Sequence, residues 1–176
     1  MSNAFQTNEQ LIALPNISPA PTSLDRCFMN CKKLKRIDFS NWDTSNCTSM
    51  DNLFQYCSNL RSVGYFDTSK IKNFNSMFAE CTMLRDVPQL NATSNTNSYS
   101  QYNSPLANCN ALRNFGGFKG INKTLYVDKA YSLSYESLLN IINGLAEGVS
   151  GQTLYLHQDL VNQLSDDDIA IATNKG

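Results

Sequence analysis

A four-residue signature, F-x-x-C-x-x-L-x-x-I/V, recurs along the chain and leaves few folds open to it. It reads Phe28, Cys31, Leu34, Ile37, then Phe54, Cys57, Leu60, Val63, then Phe78, Cys81, Leu84, Val87. A fourth copy has leucine in the leading place: Leu106, Cys109, Leu112, Phe115. A degenerate copy, Phe5, Asn8, Leu11, Leu14, precedes them all. Counted at the third position, the copies are spaced by 23, 26, 24 and 28 residues. A unit of about 25 residues cannot bury its own apolar side and becomes stable only when stacked on its neighbours. The expectation is an α/β solenoid of leucine-rich-repeat type, with short parallel strands and short helices. It spans residues 5–120, and residues 121–176 form a helix-containing C-terminal cap.

Within each unit, L-x-x-L-x-L spacing predicts a short strand with its apolar side chains inward: Leu34, Ile37, Phe39 in the first full copy. The stretch before the strand predicts a short helix, Ser49 to Cys57 in the next copy. Thr48 or Ser49 serves as N-cap, Asp51 lies in the first turn, and Met50, Leu53, Phe54 and Cys57 share one face. Between strand and helix stand polar turns, Asp43-Thr44-Ser45-Asn46 and Asp67-Thr68-Ser69-Lys70. Asp, Ser and Thr bond nearby backbone, so these read as structural. A longer polar loop, Asn91 to Asn103, takes the place of the third such turn. It is either a solvated insertion or a binding loop presenting Tyr99 and Tyr102.

Cysteine usage fits the same register. Cys31, Cys57, Cys81 and Cys109 occupy one slot of successive copies and are expected to form a buried column. Cys27 precedes Cys31 by four residues and Cys47 sits in a turn. No C-x-x-C occurs and His157 is the only histidine, so zinc lacks both spacing and ligands. Small buried thiols used for packing fit better than disulfides, because column neighbours point the same way.

The 14 basic and 15 acidic residues nearly cancel, which gives no global drive toward nucleic acid or an anionic membrane. No apolar run approaches the ~20 residues of a membrane span, and no charged-then-apolar leader is present. Met1-Ser2-Asn3-Ala4 reads as an expression scar. The half-unit at residues 5–20, irregular at Pro15, Pro19 and Pro21, has no capping element before it and suggests the C-terminal piece of a longer protein.

After Gly120 the pattern changes. Leu125-Tyr126-Val127 predicts a strand, and Ser134 caps a helix running to about Glu147. Leu133 and Leu138 stand at its staple positions, Leu138, Leu139, Ile142 and Leu145 form its buried stripe, and Gly148 ends it. Thr153 to Leu156 predicts another strand. Ser165-Asp166-Asp167-Asp168 opens a last helix, its three carboxylates read as helix capping rather than a metal site.

MDNLFQYCSNLRSVGYFDTSKI and NWDTSNCTSM resemble the BspA-type leucine-rich repeat proteins of bacteria, whose units carry M-F-x-x-C-x-x-L-x-x-L-x-x-F-D-T-S-x-V-T-x-M. The tail, YESLLNIINGLAEG with QTLYLHQDLVNQLSDDDIAIATNKG, resembles a terminal module of gut-bacterial and phage-encoded members. The chain departs from the family in two places: its fourth unit lacks D-T-S, and related tails go on to a Trp-containing strand. The resemblance implies a cell-surface or secreted protein with an adhesion role, binding host or matrix protein or glycan.

The residue after the repeat leucine is Ile12, Lys35, Arg61, Arg85 and Arg113 in turn, so four successive cations are expected in a row. At the ~4.8 Å spacing of paired strands, unit charges repel by roughly 0.9 kcal/mol per adjacent pair even in water. Arg36, Ser62, Asp86 and Asn114 form the next column, and Asp38 and Asp86 are candidates to pair with the cations. Such a row either solubilises the surface and protects a sheet edge, or receives an anionic or carboxylate-bearing ligand with Trp42 and Tyr65 as flat contacts. The candidate ligand-binding residues are therefore Lys35, Arg36, Arg61, Arg85, Arg113, Trp42, Tyr65, Tyr99 and Tyr102.

No nucleophile-and-base pairing, G-x-S-x-G or phosphate-cradling glycine loop appears, and no cofactor is implied. Three functions follow in order: a non-enzymatic binding module, a spacer, and a carbohydrate-active enzyme whose carboxylate pair the fold would have to assemble. A pocket holding two facing carboxylates favours the enzyme, and a shallow open face favours binding.

Overall fold

The computed structural model describes residues 1–8 and 20–175. Its elements in chain order are β1 (Arg36–Ile37), β2 (Ser62–Val63), β3 (Asp86–Val87), β4 (Leu90–Asn91), β5 (Asn114–Phe115), β6 (Phe118–Lys119), β7 (Leu125–Tyr126), α1 (Tyr135–Gly144), β8 (Leu154–Tyr155), α2 (Gln158–Val161) and α3 (Asp166–Asn174). The strands pair in parallel in small sheets: β1-β2-β3-β5, β4-β6 and β7-β8. No described helix is long and apolar enough to cross a membrane.

Each strand of the four-stranded sheet turns one side chain inward, Ile37, Val63, Val87 or Phe115, and its neighbour toward solvent. Leu34, Leu60, Leu84 and Leu112, three residues upstream of these, are fully buried in the same core. Leu11, Ile12 and Leu14 lie outside the described residues.

The stretch expected to be a short helix in each unit is a ribbon of tight turns. Asn52 and Tyr56 take φ of 56° and 65°, which right-handed helix excludes. Leu53, Gln55 and Cys57 donate to residues three back. The amides between them point outward: Asn52 donates to Asn75 O at 2.8 Å, Phe54 to Met77 O at 2.8 Å and Tyr56 to Ala79 O at 2.9 Å. The same three bonds join residues 26, 28 and 30 to 51, 53 and 55, and residues 76, 78 and 80 to 103, 105 and 107. Every second amide thus closes a turn and every other one holds the next copy. Met1–Ala4 join this ladder. Asn3 has φ 62° and donates to Asp25 O at 2.9 Å. Met1, Asn3 and Phe5 fall in register with Met50, Asn52 and Phe54.

Beneath the ribbon the leading phenylalanines form a stacked column. Ring centroids of Phe5–Phe28, Phe28–Phe54 and Phe54–Phe78 lie 5.5, 5.5 and 5.4 Å apart, with planes within 13°. The cysteines form a second buried column beside them. Cys31 Sγ donates to Phe5 O, Cys57 to Phe28 O, Cys81 to Phe54 O and Cys109 to Phe78 O, at 2.9 to 3.1 Å. Each of those carbonyls also closes the turn of its own copy, so both lone pairs are used.

The D-T-S turns are built as their residue types require. Ser45 N donates to Asp43 Oδ1 and Ser69 N to Asp67 Oδ1, while Thr44 and Thr68 hydroxyls reach Asp67 O and Asn91 O of the next copy. The third turn is kept rather than replaced: Thr93 N donates to Asn91 Oδ1 at 3.1 Å, with asparagine doing the work of aspartate. In the fourth unit Phe118–Lys119 still pairs with Leu90–Asn91 without a D-T-S motif. Gly117 and Gly120, at φ 83° and 73°, make the turns on either side.

Helix α1 starts where expected, with Ser134 accepting from Ser137 N and with Leu133 and Leu138 buried. It stops three residues before Glu147 for a tertiary reason. A Cβ on Gly144 would lie 2.1 Å from Phe118 O, so the helix is pressed against β6 at its last residue. Leu145 then turns extended and bridges to Ile121. Ile141 is buried where Leu139 was expected. Helix α2 was not anticipated; its N-cap is His157, whose Nδ1 accepts from Asp159 N at 3.2 Å. Ser165 and Asp168 form a capping box at α3, and Asp168 Oδ2 also accepts from Tyr135 Oη at 2.9 Å. Those bonds hold the Asp168 carboxyl below the usual carboxylate range.

Candidate functional site

The solvent face of the four-stranded sheet carries the cations singled out in the sequence. Arg61 N donates to Lys35 O at 2.8 Å, Arg85 N to Arg61 O at 2.8 Å and Arg113 N to Arg85 O at 3.1 Å. The four therefore stand on consecutive rungs, and all four side chains are exposed. Arg36, the next residue, is exposed in β1. Ile12, which would extend the row, is outside the described residues.

The expected neutralisation of this row by neighbouring carboxylates does not occur. Asp38 accepts from Ser40 N at 2.9 Å and from Ser40 Oγ at 3.1 Å, folding back on its own turn. Asp86 Oδ1 accepts from Asn114 Nδ2 at 2.7 Å, one rung along the column. Among the described residues no salt bridge involves Lys35, Arg61, Arg85 or Arg113.

The aromatic candidates divide. Tyr65 is 72% exposed and Tyr102 82%, so both present flat surfaces to solvent. Trp42 is only 6% exposed, which corrects its place as a surface contact. Its ring lies 5.7 Å from Phe28 and 5.4 Å from Phe39 in the core. The sequence carried the signal: Trp42 precedes Asp43-Thr44-Ser45 as Phe66 precedes Asp67-Thr68-Ser69, and Phe66 is core too. Tyr99 is corrected likewise, at 3% exposure. Its hydroxyl accepts from Phe74 N at 3.1 Å and donates to Asn95 Oδ1, and burial pushes it above the usual tyrosine range. The polar loop is thus pinned to the core through Tyr99 while Tyr102 stays outside.

Two open grooves that sequence reasoning missed adjoin the end of the row. One, of about 540 Å³, is lined by Arg85, Asp86, Ala111, Arg113, Asn114 and Ser132. The other, of about 390 Å³, runs between the sheet and α1 and shares Asp86 and Asn114. It also holds Glu136 and Asn140. Ser132 and Glu136 come from beyond residue 120, so no reading of the repeats alone brings them here.

Fold and site together define a protein of short parallel strands, cross-bonded between copies of one motif, with an open cationic face. Residues 1–115 match the family described as Mycoplasma protein of unknown function, DUF285. That is more than half of the 176 residues, and the chain belongs to this family. No curated protein and no solved structure matches the chain.

Proposed function

We propose that the chain is a non-enzymatic binding module of a bacterial cell-surface or secreted protein. In this reading it is a solenoid of BspA-type leucine-rich repeats that presents its sheet face to an anionic protein or glycan of a host or matrix. The observation that carries it is the run Lys35, Arg61, Arg85, Arg113: four exposed cations on successive rungs, with no described carboxylate taking up their charge. Long side chains splay to relieve repulsion, but a bound anion relieves it further, and arginine suits planar carboxylate or sulfate groups.

Two carboxylates, Asp86 and Glu136, line one groove, the feature that would favour a glycosidase. Both are exposed and Asp86 is engaged by Asn114. A general acid needs a desolvated carboxyl that keeps its proton near neutral pH, so the open face fits binding better than hydrolysis. A spacer would carry no ligand at all.

Glycan-array and matrix-protein screens of the chain separate binder from spacer. Charge reversal at Arg61 and Arg85 together is expected to abolish capture of the ligand found while leaving the melting temperature unchanged. Capture undiminished in that variant rejects the site.

A further inference from the structure

The two grooves differ in charge although they share a wall. Arg85 and Arg113 flank the first, on adjacent rungs and free of carboxylate partners among the described residues. The second is lined by Glu136 and Asn140 and holds no cation. At their common wall Asn114 Nδ2 donates to Asp86 Oδ1 at 2.7 Å, and Asp86, an exposed residue, keeps its second oxygen as an acceptor with no described donor. An acceptor carboxylate beside an amide suits sugar hydroxyls, which both donate and accept. A polyacidic peptide would bring its second carboxylate against Asp86 and Glu136 and be repelled.

Resting on the binding-module reading above, we infer that the ligand at this end of the row is an oligosaccharide in which a carboxylate-bearing sugar adjoins an uncharged one. The acidic sugar lies between Arg85 and Arg113, where two guanidinium groups meet one carboxylate. Its uncharged neighbour crosses Asp86 and Asn114 toward Glu136. Grooves of about 540 and 390 Å³ accommodate roughly a sugar residue or two each, within the usual range of ligand sites. Ser132 lines the first groove, so the residues after 120 form part of the site.

The test is calorimetric titration of the whole chain with a hyaluronan hexasaccharide, which alternates glucuronate with an uncharged sugar. Oligogalacturonate, acidic at every residue, and polyglutamate serve as comparisons. The inference expects the hexasaccharide to bind at least tenfold tighter than either comparison. Arg85→Gln and Arg113→Gln are each expected to weaken it tenfold or more without changing the melting temperature, and Lys35→Gln, three rungs from Arg113, to weaken it far less. Tighter binding of polyglutamate, or equal loss in Lys35→Gln and Arg113→Gln, overturns the alternating-sugar inference while the cationic row stands as a site. If none of the three anions binds and a screened ligand is captured equally by Arg61/Arg85 charge-reversed protein, both readings fall.

Discussion

The Cys57 thiol donates to the carbonyl of Phe28, twenty-nine residues earlier, at 2.9 Å. Phe28 O accepts at the same time from Cys31 N, which closes the turn of its own copy. Cysteine is small enough for the slot and still brings a donor to a carbonyl with one lone pair to spare. With Cys81 and Cys109 repeating the contact, the thiols link one copy to the next without a covalent bond. Burial pushes the Cys81 and Cys109 thiols well above the usual range. Neither is expected to react with Ellman's reagent at pH 8 in the folded protein, and both should react on unfolding. Rapid modification of either in the native state would contradict their burial.

Phe54 is stacked on both sides, by Phe28 and Phe78. Phe54→Ala is expected to cost about 3–5 kcal/mol by urea denaturation. Phe54→Leu should cost less than about 1.5 kcal/mol, since Leu106 fills the equivalent place in the fourth copy. An equal loss in both variants would show that the column is held by something other than packing volume.

Tyr56 holds φ at 65° with its side chain 45% exposed. The equivalent places in the other copies are Asn30, Glu80 and Asn108, and asparagine is the residue type that best tolerates this conformation after glycine. Tyr56→Asn should stabilise the chain by roughly 0.5–1 kcal/mol, read as a higher melting temperature. A lower one would mean that the ring's packing outweighs the backbone relief.

Burial, and then the nearby charge of Asp25, push Asp51 up to about 6. Asn73 Nδ2 donates to its Oδ2 at 2.7 Å, while its buried Oδ1 meets no described donor. The folded state prefers this carboxyl protonated, so ionisation destabilises it. Stability should be highest below pH ~4 for this group, fall as pH rises toward 6, and level off above. The side chain is only half-buried, so solvent screening reduces the effect to on the order of 1 kcal/mol. Asp51→Asn removes the ionisation and should be the more stable protein at pH 7.5, with the advantage vanishing at pH 4. A constant difference across that range would show that Asp51 does not titrate as its surroundings require.

Much of this arrangement was legible because one register carries it. The leucine, cysteine and D-T-S positions recur at fixed offsets, and the Ser134 and Ser165 caps follow from local residue types. The turn ribbon was not legible. Met50, Leu53, Phe54 and Cys57 have the i, i+3, i+4, i+7 spacing of a helix face, and a ribbon of alternating turns buries the same positions. What decides between them is where the intervening amides go, and their acceptors, Asn75, Met77 and Ala79, lie in the next copy. Tyr99 escaped for a similar reason, since its partner Phe74 N is twenty-five residues earlier. Trp42 was readable by aligning W-D-T-S with F-D-T-S. The grooves at Arg85 and Arg113 were not, because Ser132 and Glu136 arrive from outside the repeats.

The most direct test of the Arg85–Arg113 end of the cationic row as an acidic-oligosaccharide site is an amide chemical-shift titration of the isotopically labelled chain with the hyaluronan hexasaccharide. Shifts should concentrate at Arg85, Asp86, Arg113 and Asn114, extend to Ser132 and Glu136, and vanish in the Arg85→Gln/Arg113→Gln protein. Perturbations confined to the β7–β8 end at Tyr126 and Tyr155, or none at saturating ligand, would contradict it.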